Sequence, residues 1–200
     1  CMVSYQLLVP YSCHPDDIQK TTEEQRMSLL EIMQSRRSVR KYTDEKISEE
    51  NMTAIIQAGL LSASSKGKRP WELIVVRDKD MLKKMADCRD GAANMLAGAD
   101  AAVVVIADEN ATDVWTEDCS IVMSNMHLMA DSLGVGSCWI QGRLRTAADG
   151  RTTEEYLREC LGFPENLRLE AILSLGMPAK HAPGYELSDL HTEKVHYEKY

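Results

Sequence analysis

The chain has 200 residues, a hydrophobic fraction of 44%, a charged fraction of 27% and a net charge of −8. These values suit one soluble globular domain and exclude a disordered tail or a fibrous repeat. The longest strictly apolar run, residues 101–107, is far short of the ~20 residues that a membrane span needs, and an acidic chain has no general attraction for nucleic acid or anionic lipid. No nucleic-acid partner and no membrane are therefore expected, and a cytoplasmic setting is the default reading. The six cysteines are scattered without a C-x-x-C pair, and the five histidines form no metal-binding spacing. A reduced compartment and no dedicated metal site follow as expectations.

The elements are read in chain order. Residues 1–22 have no clear periodicity and read as an N-terminal arm, followed by a domain over 23–200. Apolar positions Met27, Leu30, Ile32 and Met33 fit a first helix over about 23–36. Ser48 is a suitable N-cap, with Glu49 and Glu50 complementing the dipole of a helix that runs to about Ser62. A loop of small and basic residues follows over 62–70, then a buried strand over 73–76 and a helix over 78–88. Residues 101–107 read as a second buried strand. The segment 115–133 reads as a long helix, apolar on almost every face, as suits a core or subunit-interface helix. Strands over 137–140 and 169–175 flank a short helix over 153–161, and the tail from 180 is irregular and polar. Helices interspersed with few short strands give an α-with-β domain whose sheet is covered on both faces.

The charge is unevenly placed. Residues 36–41 hold four cations and residues 66–69 hold three, neither with an acid, so the rest of the chain carries −15. Two compact basic segments in an acidic chain suggest a site for one small anion; the alternative is two solvated basic loops. No nucleophile elbow, phosphate-binding P-loop or G-x-G-x-x-G fingerprint is present. Any hard chemistry would then belong to a bound cofactor.

Five segments in order carry a resemblance: Arg36-Arg37-Ser38-Val39-Arg40 after the opening helix; residues 62–71 and the strand behind them; Leu133 to Ile140; Leu173 to Ala179; and Lys194 to Tyr197. Over residues 27–200 this set resembles the FMN-dependent nitroreductase family. The resemblance implies an α+β fold with a mixed, mostly antiparallel sheet flanked by helices, in an intertwined homodimer with tightly bound FMN. It implies that Arg36 and Ser38 hold the phosphate with Arg37 beside them, that Arg40 lies near the pyrimidine edge, and that Lys194 reaches the phosphate from the tail. Ala63, Ser64, Ser65 and Gly67 match positions lining the ring and ribityl chain. Trp139, Ile140, Gln141 and Gly142 match the stretch on the ring's other side, where the N–H of Gln141 or Gly142 would face flavin N5.

The sequence departs from the family pattern at Gly67, where Asn is usual, and at Arg69, where Gln is usual. The implied activity is ping-pong: NAD(P)H delivers hydride and leaves, and a small-molecule acceptor, a nitroaromatic or quinone, enters the same pocket. No side chain is required as nucleophile or base, so the expected catalytic set is empty. The alternatives are a specialised reductase of the same fold, such as a dehalogenase or flavin reductase, or a non-catalytic flavin-binding sensor.

Overall fold

The computed structural model describes residues 27–200; the arm expected over 1–22 and the first turn of the expected opening helix lie outside that range. Nine elements follow in the order α1 (Leu29–Ser35), α2 (Glu49–Leu60), β1 (Trp71–Val76), α3 (Lys79–Met85), β2 (Ala101–Asp108), α4 (Trp115–Ser132), β3 (Gly136–Gln141), α5 (Thr153–Leu161) and β4 (Leu167–Gly176). Their starts are written in the sequence. Ser28, Ser48, Asp78 and Thr152 each accept a main-chain N–H from the first turn of the helix that follows. Glu31 and Glu155 close capping boxes on the first and last of these.

The four strands pair in the order β1-β2-β4-β3, every neighbouring pair antiparallel. The parallel component expected from the resemblance is a single bridge, Ser38 to Ser137. Strand alternation divides the core into two layers. Val103 and Val105 of β2, with Ala171 and Leu173 of β4, pack under α2 and α4 against Ile55, Val122 and Met126. Val104, Ile106, Leu169 and Ile172 pack under α3 and α5 against Leu82, Met85 and Leu157. Trp71 is buried in the first layer, a packing residue. No helix among the described residues is long and apolar enough to cross a membrane.

The segment after α1 is laid across the near ends of β3 and β4. Val39 N–H donates to Ser137 O (2.9 Å), Thr43 N–H to Met177 O (2.8 Å), and the Tyr42 hydroxyl meets Val39 O and Ser174 Oγ. This approach needs bare backbone beneath it. A Cβ at Gly136 would stand 2.8 Å from Val39 Cγ1, and one at Gly176 would stand 2.6 Å from Tyr42 Cγ. Gly136→Ala is expected to cost about 1–3 kcal/mol through this overpacking, read as a lower melting temperature. Gly98→Ala, where nothing lies within 4 Å of the added carbon, is the control.

Candidate functional site

The basic segment 36–41 reaches its place because α1 ends at Arg36, whose N–H closes the last turn on Ile32 O, and Val39 then joins the edge of β3. Arg36 turns its guanidinium inward: Nη1 donates to His127 Nε2 at 2.9 Å. An arginine can only donate, so Nε2 is the acceptor and the His127 proton sits on Nδ1, which donates to Ser137 Oγ. The Ser137 hydroxyl keeps its own hydrogen for another acceptor. His127 is 7% exposed, and burial together with the Arg36 charge pushes it down to about 4. Beside it, Asp131 accepts from the Ser35 hydroxyl and pairs with His181 of the tail at 3.0 Å.

Arg37 lies 3.6 Å over the Tyr185 ring and donates to Gln34 O and Arg36 O through Nη1. Its Nη2 is buried without a hydrogen-bond partner in the structure, an unused donor in this cluster. Ser38 is exposed, and Arg40 is exposed with Nη1 at 3.5 Å from Ser38 O. Lys194 stands on an exposed 3-10 turn of the tail (Thr192–Lys194). The tail touches the basic segment elsewhere, through the Tyr185 ring under Arg37 and through Ala179 N–H, which donates to Lys41 O.

The loop of small residues is built on the other end of α4. Asp118, 2% exposed, accepts the Ser65 N–H at 2.8 Å, while its Oδ2 is buried without a hydrogen-bond partner in the structure. Ser64 Oγ accepts the Arg69 N–H at 2.9 Å. Lys66 (φ 51°), Gly67 (φ 66°) and Arg69 (φ 47°) are all left-handed, and Ala63 and Gly67 are exposed. Gly67 suits this backbone; Lys66 and Arg69 hold it at a cost that the Asp118 and Ser64 bonds offset.

The third group lies along β3, the edge strand. Gly142 N–H donates to Glu170 O (3.1 Å), which sets the phase of the ladder: Ile140 bonds inward to β4, whereas Ser137, Trp139 and Gln141 turn their main-chain groups to the open edge. Val39 takes the Ser137 carbonyl. Of the two N–H groups singled out in the sequence, that of Gly142 is engaged and that of Gln141 faces outward. Ile140 buries its side chain under α3 and α5 and spends its backbone on β4, so it offers the open edge neither. Trp139 packs in the α4 layer and donates from Nε1 to Gln141 Oε1 at 2.9 Å. Beside Gly142 opens a cavity of about 230 Å³ lined by Trp115, Arg143, Arg145 and Arg168 among others.

The structure thus brings Arg36, Arg37 and Ser38 together with the start of β3. It keeps the 63–67 loop apart from them, tied to α4 nine residues earlier, about 13 Å at 1.5 Å per residue. Asp118, Ser137 and Glu170 were not singled out in the sequence. Ser137 and Glu170 carry the signal of a polar side chain inside an apolar run; Asp118, between Glu117 and Cys119, carries none.

A family model described as the nitroreductase family matches residues 33–90 and 86–177. The chain belongs to the nitroreductase family. Among solved structures it is similar to an FMN-dependent nitroreductase from Clostridium difficile R20291: 42% identity, TM-score 0.82, covering 84% of this chain and 98% of that one. A relative in Archaeoglobus fulgidus, provisionally named NADH dehydrogenase/NAD(P)H nitroreductase, is 38% identical over 86% of this chain and 98% of its own. The NADPH:FMN oxidoreductase of Vibrio harveyi, solved with NAD+, has 26% identity and a TM-score of 0.72, over 86% of this chain and 77% of that one.

In this nitroreductase-family chain the lowered His127 value has a consequence for stability. The folded state disfavours imidazolium, so stability is fully present above the ordinary histidine value of 6.5 and is lost as pH falls toward about 4. The loss amounts to about 3 kcal/mol. Melting temperatures followed across that range are expected to fall more steeply for the wild type than for His127→Gln.

Proposed function

We propose that the chain is an FMN-dependent oxidoreductase that takes electrons from NAD(P)H and passes them to a small-molecule acceptor, a nitroaromatic or a quinone. The observation that carries this reading is the donor set at the start of the β3 edge. Arg36 is oriented by neutral His127, Arg37 has an unused buried donor, and the Ser137 hydroxyl hydrogen is uncommitted. A terminal phosphate needs such a set of charged and neutral donors, and guanidinium forks suit its oxygens.

The remaining residues fit the rest of the same group. Arg36, Arg37 and Ser38 would hold the phosphate, with Lys194 approaching from the tail. Ala63, Ser64, Ser65 and Gly67 present small side chains and backbone to the ribityl chain and ring, and Arg40 offers a cation at the pyrimidine edge. Trp139, Ile140, Gln141 and Gly142 would form the strand behind the ring, where the outward Gln141 N–H would be available to it. Bound there, FMN supplies hydride chemistry between a nicotinamide donor and an oxidised acceptor. No side chain is needed as nucleophile or base; the protein binds, orients and sets the local charge. The donor and the acceptor would occupy the open edge in turn, as a ping-pong scheme requires.

The separation of the 63–67 loop from Arg36 supports a second element of the proposal, an intertwined homodimer whose partner completes each site. Leu29, Ile32, Ala58, Leu61, Leu128 and Met129 line an apolar groove of about 240 Å³ between α1, α2 and α4. Leu61 is 84% exposed and Leu29 62%. Exposed apolar surface of this kind marks an interface. The wild type is expected to elute as a dimer, with Leu61→Glu shifted toward monomer in light scattering.

The functional reading is tested by the visible spectrum of the purified protein, with FMN added, before and after anaerobic NADH or NADPH. Uptake of FMN and bleaching by one nucleotide are expected. Arg36→Ala should weaken FMN binding by about 10- to 100-fold, the size of a charged hydrogen bond. Protein that takes up no FMN would reduce the likeness to fold alone, and flavin that binds but is never bleached would point to a sensor.

A further inference from the structure

Strand β4 reads Leu-Arg-Leu-Glu-Ala-Ile-Leu, with Glu170 interrupting the apolar side of a central strand. The sheet accommodates it by a bulge. Val105 pairs with Ala171 and Ile106 with Leu169, so Glu170 is the extra residue between them. Its main-chain carbonyl accepts from Gly142 N–H (3.1 Å) and Arg143 N–H (2.9 Å), which fixes where β3 ends.

The side chains continue the same grip. An indole N–H can only donate, so the Gln141 amide oxygen faces Trp139 and its NH2 must face Glu170. There it donates to Glu170 O (3.2 Å) and Oε1 (3.1 Å). Oε1 is therefore an acceptor. The carboxyl is 5% exposed, and Oε2 is buried without a hydrogen-bond partner in the structure. A proton on this carboxyl belongs on Oε2.

We propose that Glu170 is a positioning residue for the flavin edge: it holds the Gln141 N–H outward and, by carrying or releasing a proton on Oε2, sets the charge behind that edge. The inference rests on the FMN reading above. Burial pushes the Glu170 carboxyl up, against the pull of Gln141 and Arg143 and with a further push from Glu117. Of the groups facing it, Arg143 brings a guanidinium; from α4, Glu117 is held below the usual range by the Thr116 hydroxyl, and burial pushes Cys119 to about 12. Across the intervening range Glu170 is the member of this group that changes charge. Its neutral form leaves room for the negative charge that reduction brings to the ring, and its ionised form opposes it.

The test compares wild type, Glu170→Gln and Glu170→Ala from mildly acidic to mildly alkaline pH. Three readouts are taken: FMN dissociation constant, melting temperature of the FMN-free protein, and rate of anaerobic reduction by NADH or NADPH. A raised carboxyl contributes stability at low pH that is lost as pH rises through its folded value. The wild type should therefore lose melting temperature and slow several-fold on the alkaline side, while Glu170→Gln does neither and binds FMN within about twofold of wild type. Glu170→Ala, which removes the Oε1 acceptor and leaves the Gln141 amide only the main-chain carbonyl of residue 170, should slow about tenfold at every pH.

A Glu170→Gln profile that tracks the wild type overturns the proposal, as does a Gln variant no better than Ala. Wild type that takes up no FMN overturns the functional reading and this inference with it. Flavin uptake and bleaching in the wild type, with identical pH profiles in the Gln variant, overturns this inference alone.

Discussion

Everything near the candidate site depends on one seam, where residues 38–43 lie across the ends of β3 and β4. Four hydrogen bonds hold it: Val39 to Ser137, Thr43 to Met177, Ala179 to Lys41, and Tyr42 to Ser174. The seam exists because Gly136 and Gly176 present no side chain to the incoming strand. A methyl group at either place would crowd Val39 or Tyr42 and strain the seam that carries the basic segment. A packing constraint on two glycines thus delivers the charge to the strand edge.

Helix α4 connects the parts. Its buried side is apolar through Cys119, Val122, Met123 and Met126, and it carries two polar residues near its ends. Asp118 fixes the loop of small residues and His127 fixes Arg36, so one rigid rod sets the spacing between the two groups. Both residues are buried, Asp118 held by the Ser65 N–H and His127 held between Arg36 and Ser137. Their directions need no flexible side chain in solvent to maintain them, which is the preorganisation a binding site requires.

Most elements were legible in the sequence because caps and periodicity agree. The helices over 49–60, 79–85 and 153–161 begin at Ser48, Asp78 and Thr152, and the apolar run at 101–107 is a strand buried on both faces. The grouping of the candidate residues was legible less completely. Ordered motifs identified Arg36, Ser65 and Gln141, but linear order contains no information on which ends of α4 they meet. The strand order β1-β2-β4-β3 puts β3 at the edge, and that fact, invisible in the strand's own residues, decides which of the Gln141 and Gly142 N–H groups is free. Glu170 was passed over because a single charge in an apolar strand carries no periodic signature; the bulge that houses it is a property of pairing.

The same bulge explains why the charge is tolerated. In a regular ladder, a glutamate on the covered side of a central strand would have to bury its carboxylate against α4 with nothing to receive it. The extra residue locally widens the strand, lets the Glu170 carbonyl accept from two successive N–H groups, and brings the carboxyl beside the Gln141 amide. The satisfied half of the carboxyl orders β3, and the unsatisfied Oε2 is the place where a proton is held. A hydrophobic residue at 170 would relieve that oxygen and pack more comfortably, but it would remove one of the three hydrogen bonds that orient the Gln141 amide. The bulge, the amide orientation and the outward Gln141 N–H therefore stand or fall together.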